Sequence, residues 1–331
     1  MKNLFLGSVV ERSGKTMVTL GLALNCPVKV GYFKPFKETL MYDRDKLVDQ
    51  DAFLMKKALK LKCDEERLCP FVYDVLKPVE ITSIVQAYGM VKGESETMLI
   101  EGTRDIVSGF LQDVSGMAVA EALRADVILI SSSQPSALDK IAMLSQLMKG
   151  YKVAFKGVIL NMSDSPHAKA LLEEKGIPVL GQIPEVPTLK RFQVREVAEC
   201  INAEIIIEDG LDNVVQEVMV GAMTPETAVK YLRRVARKAL ITGGDRADIQ
   251  MAALSTDTSC LILTGGLYPT KQVVSKAYEA GVPILVTKYD TLETAEMVDH
   301  LIARIDPDDS SKIEVIKRAV KDNVDLQAVM C

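Results

Sequence analysis

Tryptophan is absent from the 331 residues, histidine occurs twice, and the six cysteines form no C-x-x-C pair. Each scarcity removes a class of chemistry. Zinc centres and Ser-His-Asp relays draw on histidines and closely spaced thiols, and His167 and His300 both fall in polar, helix-like stretches that read as surface. Cys26, Cys63, Cys69, Cys200, Cys260 and Cys331 are scattered, and read as small apolar residues or idle thiols of a reducing compartment. No apolar run approaches the roughly 18 residues of a membrane span, and no basic-then-apolar leader opens the chain. A basic excess is missing as well. Forty Lys and Arg stand against 45 Asp and Glu, a formal net charge of −5, so no electrostatic footprint for nucleic acid is present. The expectation is a cytoplasmic protein, with neither nucleic acid nor membrane as partner, whose chemistry rests on positioned charge.

What is present is a core-forming chain, 48% hydrophobic, long enough for two domains. Short β-branched runs at 3–10, 28–34, 97–102, 126–132, 155–162 and 178–184 alternate with helix-period stretches. Such runs, apolar throughout and separated by helices, predict a parallel sheet covered on both faces. Near residue 203 the pattern restarts: "TPETAVKYLRRVARK" opens with Thr224 as N-cap and Pro225 at the first helical position, followed by "KALITG", "SCLILTGG" and "VPILVTK" as strands between helices. The expected organisation is α/β throughout: a larger unit over 1–203, a smaller one over 204–305, and a charged helical tail over 306–331. The tail is open to packing on the second unit or on a partner subunit.

The first strand runs into "GSVVERSGKT", residues 7–16. Its end matches the phosphate-binding loop, but the usual first glycine is replaced by Val9, and the nearest upstream glycine is Gly7. Strand, glycine-containing turn and helix are the context the site requires. Turn amides and a helix N-terminus converge on one anion-sized spot. Ser13 and Gly14 permit close backbone approach, Lys15 brings a mobile charge to the β- and γ-phosphates, and the Thr16 hydroxyl can ligate Mg²⁺. The alternative is a βα unit holding a chance Gly-Lys-Thr. Three further groups fit one site: Lys34 at a strand's carboxyl end, Asp51 (with Asp49 close by) at a helix start, and Glu101 closing a buried strand. Taken singly they also fit a solvated strand end, an N-cap and a loop acid.

On these residues the first two hundred positions resemble the dethiobiotin synthetase family, a P-loop branch with a lengthened loop. The resemblance implies that Gly7 closes the first strand of the nucleotide site, with one residue more than usual before Gly-Lys-Thr. It implies that Lys34 in "GYFKP" contacts substrate and phosphate, and that Asp51 in "QDAF" and Glu101 in "EGTRD" hold the metal. It also implies that Asn161 in "VILNMSD" reads the adenine edge, and that two subunits form a homodimer. The departure is "EGTRD" itself, where the family carries "EGAGG". Thr103, Arg104 and Asp105 alter the loop bordering a second substrate, so dethiobiotin formation is not expected while ATP and Mg²⁺ are. Arg104 either meets an anionic acceptor or pairs with Asp105.

The stretch "ALITGGDRADIQMAALSTDTSCLILTGGLYP" resembles a DRTGG-type domain, which follows a dethiobiotin synthetase-like unit in the amino-terminal part of long phosphotransacetylases. No acetyl-transferring domain is found in the chain, so phosphotransacetylase activity is not expected. Gly243, Gly244, Gly265 and Gly266 either hold a ligand at the sheet's end or form plain tight turns, while Asp245 and Arg246 form a pair or cap a helix. Two functions remain open, with a degenerate scaffold that retains the fold without turnover as a lesser third. One is an ATP- and Mg²⁺-binding protein of slow or no turnover, whose second domain senses an effector. The other is an ATP-dependent ligase in which Lys34 and Lys15 direct a small carboxylate or carbamate to the γ-phosphate.

Overall fold

The computed structural model describes residues 1–43, 46–302 and 305–330. It divides into two compact units: Met1–Val186 together with Ile305–Cys331, and Pro187–Arg304. The side chain of His300 and residue Cys331 lie outside the described residues. His167 is exposed as expected, and the other five cysteines are free thiols. Among the described residues no helix is long and apolar enough to cross a membrane.

The first unit is built on strands β1 (Lys2–Ser8), β2 (Val30–Phe33), β3 (Thr97–Glu101), β4 (Asp126–Ser131), β5 (Phe155–Asn161) and β6 (Val179–Ile183). They form one sheet in the order β6-β5-β4-β1-β3-β2, every pair parallel. Successive side chains of a strand point to opposite faces, and here both faces are dry. Leu4, Leu6, Ile128 and Ile130 pack with Val18 and Leu22 of helix α1 (Lys15–Asn25), while Phe5, Val127 and Leu129 pack with Ile84, Met117 and Ile141 on the other side. From β1 the chain turns first to β2 and β3 on one side, then to β4 on the other. The crevice at the carboxyl end of β1 is therefore the topological switch point at which open α/β sheets bind ligands.

The C-terminal residues return to this unit. Helix Ser310–Asn323 lies along α1, with Val320 and Ile316 against Gly21, and Asn25 Nδ2 donates to the Lys317 carbonyl at 2.8 Å. Val324 and Val329 enter the same apolar layer. The tail packs on helix α1 of its own chain, a placement beyond the two left open by the sequence. The unit boundary also falls earlier than residue 203, at Val186 and Pro187. Phe192, Val194, Val197 and Ile201 bury themselves with Ala239, Ile241 and Ile262, so the helix Val194–Cys200 belongs to the second unit.

In that unit, strands β7 (Glu204–Ile205), β8 (Glu217–Val220), β9 (Lys238–Gly243), β10 (Thr258–Thr264) and β11 (Ile284–Val286) are ordered β7-β11-β10-β9-β8, with β7 antiparallel at the edge. Gly265 and Gly266 both adopt left-handed φ, +77° and +65°, and their amides donate to the carbonyls of Tyr289 and Thr287 at 2.9 and 2.8 Å. These amides are spent on the turn. Arg246 pairs with Asp248 at 3.1 Å, two residues on, rather than with Asp245, and its guanidinium also donates to the Met223 carbonyl.

The contact at Gly21 yields a prediction. A Cβ there runs into Val320. Gly21→Val is expected to lower stability by about 1–3 kcal/mol through overpacking, read as a lower urea midpoint of the full chain. An unchanged midpoint would show that the C-terminal helix does not hold this position in solution.

Candidate nucleotide-binding site

The loop after β1 is fixed from beneath. Val9 N donates to the Ile130 carbonyl at 3.0 Å, Ser13 Oγ donates to Ser8 Oγ at 2.9 Å, and Asn161 Nδ2 donates to the Ser13 carbonyl at 2.9 Å. Gly14 caps α1 in the left-handed region, φ +76°, and any Cβ at that point would collide with the Asn161 amide nitrogen. Glycine is required here for both reasons. Among the described residues, the amides of Ser13, Gly14, Lys15 and Thr16 donate to no backbone carbonyl, and the first turn of α1 carries no acid. Open amides and the positive end of an 11-residue helix make an anion cradle. Gly7 lies lower, inside β1, where its missing Cβ leaves room for Ile106 of the loop following β3.

Register brings the acids to this cradle. Leu6 of β1 pairs with Glu101, the last residue of β3. Glu101 is fully buried, its Oε1 accepting from Thr16 Oγ1 at 2.8 Å and its Oε2 from the Tyr32 hydroxyl at 3.0 Å. Burial, reinforced by the neighbouring Asp51 charge, pushes its carboxyl up to about 7 against the pull of Lys15 and Lys34. Lys15 Nζ donates to the Thr103 carbonyl at 2.8 Å and lies 3.7 Å from Glu38 Oε2. The altered "EGTRD" loop thus supplies a backbone acceptor to the loop lysine. Asp105 Oδ1 accepts from the Val107 and Ser108 amides, closing a tight turn, and Arg104 is exposed.

Lys34 is 0% exposed. Its ammonium meets Asp51 Oδ2 at 2.5 Å, Glu38 Oε2 at 3.1 Å and Asp49 Oδ2 at 3.2 Å. Three donors face three carboxylates. Asp49 is the N-cap of helix α2 (Gln50–Leu59), accepting from the Asp51 and Ala52 amides at 3.1 Å each, and also from Glu38 N at 2.9 Å. The capping role open to Asp51 therefore falls to Asp49, and Asp51 is released toward the site. Burial favours a neutral Asp51, but Lys34, with Lys15 and Thr16 adding to it, outweighs that and holds the carboxyl below its ordinary value. Asp49 goes the other way, raised mainly by burial. Burial works against a charged Lys34 too, and the surrounding acids overcome it, keeping the ammonium protonated.

Lys15, Thr16, Lys34, Asp51 and Glu101 are thus brought together, with Ser13, Gly14 and Asn161 forming and bracing the loop. Tyr32, Glu38 and the Thr103 carbonyl were not legible beforehand, because nothing in their local spacing marks them; they enter through register and chain reversal. Among the described residues no group of three or more His, Cys, Asp or Glu is arranged to hold a metal. A hydroxyl and a carboxylate side by side, Thr16 and Glu101, with Asp51 adjacent, fit a magnesium ion that takes its remaining ligands from phosphate and water.

Fold and site together define a P-loop nucleotide-binding unit carrying a second α/β unit. Residues 2–193 match the AAA domain family designated AAA_26, and residues 196–301 match the DRTGG domain; the chain belongs to that AAA family, with a DRTGG domain following. Phosphate acetyltransferase of Synechocystis sp. is 24% identical over 346 residues, covering 94% of this chain and 49% of the relative. ATP-dependent dethiobiotin synthetase BioD of Nitrosopumilus maritimus is 23% identical over 218 residues, 60% of this chain and 95% of the relative. The chain spans about half the length of the phosphate acetyltransferases it matches. Among solved structures, the septum site-determining protein MinD of Pyrococcus horikoshii, complexed with Mg-ADP, is 20% identical over 57% of this chain and 83% of its own, with a TM-score of 0.38.

The raised Glu101 carboxyl sets a pH dependence. The folded state holds this proton more tightly than the unfolded chain, so the stability it contributes is complete below about 4.5 and lost as pH rises through about 7. Glu101→Gln keeps partners for Thr16 and Tyr32, and is expected to flatten that decline and melt higher than wild type at pH 8 in nucleotide-free, metal-free buffer. A variant melting lower at pH 8 would contradict the assignment.

Proposed function

We propose that the first unit binds ATP with Mg²⁺ and that the DRTGG unit reads an effector, the pair acting as a nucleotide-dependent regulatory protein with slow or no turnover. The observation that carries this reading is the convergence of Lys15, Thr16, Glu101 and Asp51 at the N-terminus of α1. The loop amides and Lys15 would hold the phosphates, and Thr16 and Glu101 the metal, with Asp51 beside it. Bound magnesium neutralises phosphate charge and orients the terminal phosphoryl group. Asn161 would meet adenine through its carbonyl oxygen and second amide hydrogen, the first being committed to Ser13. Cytoplasmic location and a homodimer belong to the same proposal, and acetyl transfer, named for the longer relatives, does not.

The full engagement of Lys34 by three carboxylates favours regulation over catalysis, since an acceptor must displace one of them. The alternative is an ATP-dependent ligase. It is supported by the BioD relative, matched over nearly all its length, and would activate a small carboxylate or carbamate at the γ-phosphate by positioning and charge.

Calorimetry of ATP with and without Mg²⁺, on wild type and Lys15→Ala, tests the common ground. Wild type is expected to bind ATP more tightly with the metal, and Lys15→Ala to lose at least tenfold in affinity. No binding by wild type removes both readings. ADP release across a panel of small carboxylates then separates them: a flat, slow rate supports regulation, and stimulation by one acceptor supports the ligase.

A further inference from the structure

Glu38 is the charged group that the nucleotide reading leaves without a task. Among the described residues its Oε2 is the carboxylate oxygen within ion-pair reach of both site lysines, 3.1 Å from Lys34 Nζ and 3.7 Å from Lys15 Nζ. The other acids are tied down. Asp49 accepts from three backbone amides, and Glu101 is fixed by Thr16 and Tyr32. Glu38, by contrast, retains 19% exposure of its side chain, and its carboxylate is held by the two ammonium ions. If it swings out, Lys34 keeps Asp49 and Asp51, and Lys15 keeps the Thr103 carbonyl.

One oxyanion bridging the loop lysine and the strand-end lysine is the arrangement that an incoming phosphoryl or carboxylate group would adopt. We infer that Glu38 is an internal place-holder for that group, occupying the oxyanion position until a ligand displaces it. The inference rests on the nucleotide reading above and adds the regulation of that site. Charge balance gives the reason. Lys34 already faces Asp49 and Asp51, so a polyphosphate arriving with Glu38 in place finds both ammonium ions shared with that carboxylate and meets its negative charge at the terminal group. The apparent affinity is lowered by the fraction of molecules in which Glu38 is seated. A ligand that reaches both lysines feels this competition in full, and one that stops at the β-phosphate, meeting Lys15 alone, feels it less.

The test compares wild type with Glu38→Gln by calorimetry in Mg²⁺. The probes are ADP, a non-hydrolysable ATP analogue, and succinate added to the Mg·ADP-bound protein. ADP is expected to bind both proteins, its affinity changing by less than that of the ligand whose place Glu38 holds. If the place-holder stands in for the terminal phosphoryl group, the analogue binds the variant about tenfold tighter, a size set by removing one charge at this distance. If it stands in for an acceptor carboxylate, the analogue is unchanged and succinate gains instead. Glu38→Asp, which draws the carboxylate back from Lys15, is expected to shift the same ligand in the same direction by less, and guards against misfolding of the amide variant. Unchanged or weaker binding of both analogue and succinate, with ADP binding intact, overturns the inference. Absence of ADP binding in both proteins overturns the nucleotide reading and the inference with it.

Discussion

A lysine ammonium sealed from water, Lys34, organises the site. An isolated buried charge is far too costly to persist, and a buried pair is stable only when its remaining donors and acceptors are also met. Lys34 meets that condition through Asp49, Asp51 and Glu38, which lie 4 to 17 residues along the chain. The segment between β2 and α2 must therefore fold back on the strand end to deliver them. Asp49 does two things at once, ending the segment as the cap of α2 and neutralising Lys34. Capping by Asp49 leaves Asp51 in the first turn of α2, facing the nucleotide loop.

The same cluster sets the electrical state of the crevice. Lys15 and Lys34 are outnumbered by acids. The excess is relieved in the ligand-free molecule by the raised Glu101 carboxyl. A divalent cation beside Thr16 and Glu101 would take over that role, so metal and proton are expected to compete for Glu101. The loop amides above are already oriented by Ser8, Ile130 and Asn161, and pay little reorganisation on receiving a phosphate.

Much of this was legible in the sequence. The six strands of the first sheet stand where the β-branched runs lie, because strands buried on both faces need apolar residues at every position and leave a continuous signal. Lys15, Thr16, Asp51 and Glu101 were readable as well, each lying at the end of an element whose type was plain. Glu38 was not. It sits beyond the end of β2, and its importance comes from chain reversal rather than from local period. The boundary near 203 misplaced Phe192 to Ile201, whose apolar spacing is equally compatible with either core. The tail's packing on α1 depends on Gly21 matching Val320, a complementarity with no signature in either segment alone.

The central claim is that a hydroxyl and a buried carboxylate, Thr16 and Glu101, hold a divalent ion only in company with phosphate. Electron paramagnetic resonance of Mn²⁺ titrated into the protein measures this directly, since free Mn²⁺ loses its signal when bound. The account predicts weak Mn²⁺ binding by the protein alone, one tight ion per chain once ADP is added, and loss of that ion in Thr16→Val. Tight Mn²⁺ binding without nucleotide, or none with it, would contradict the account.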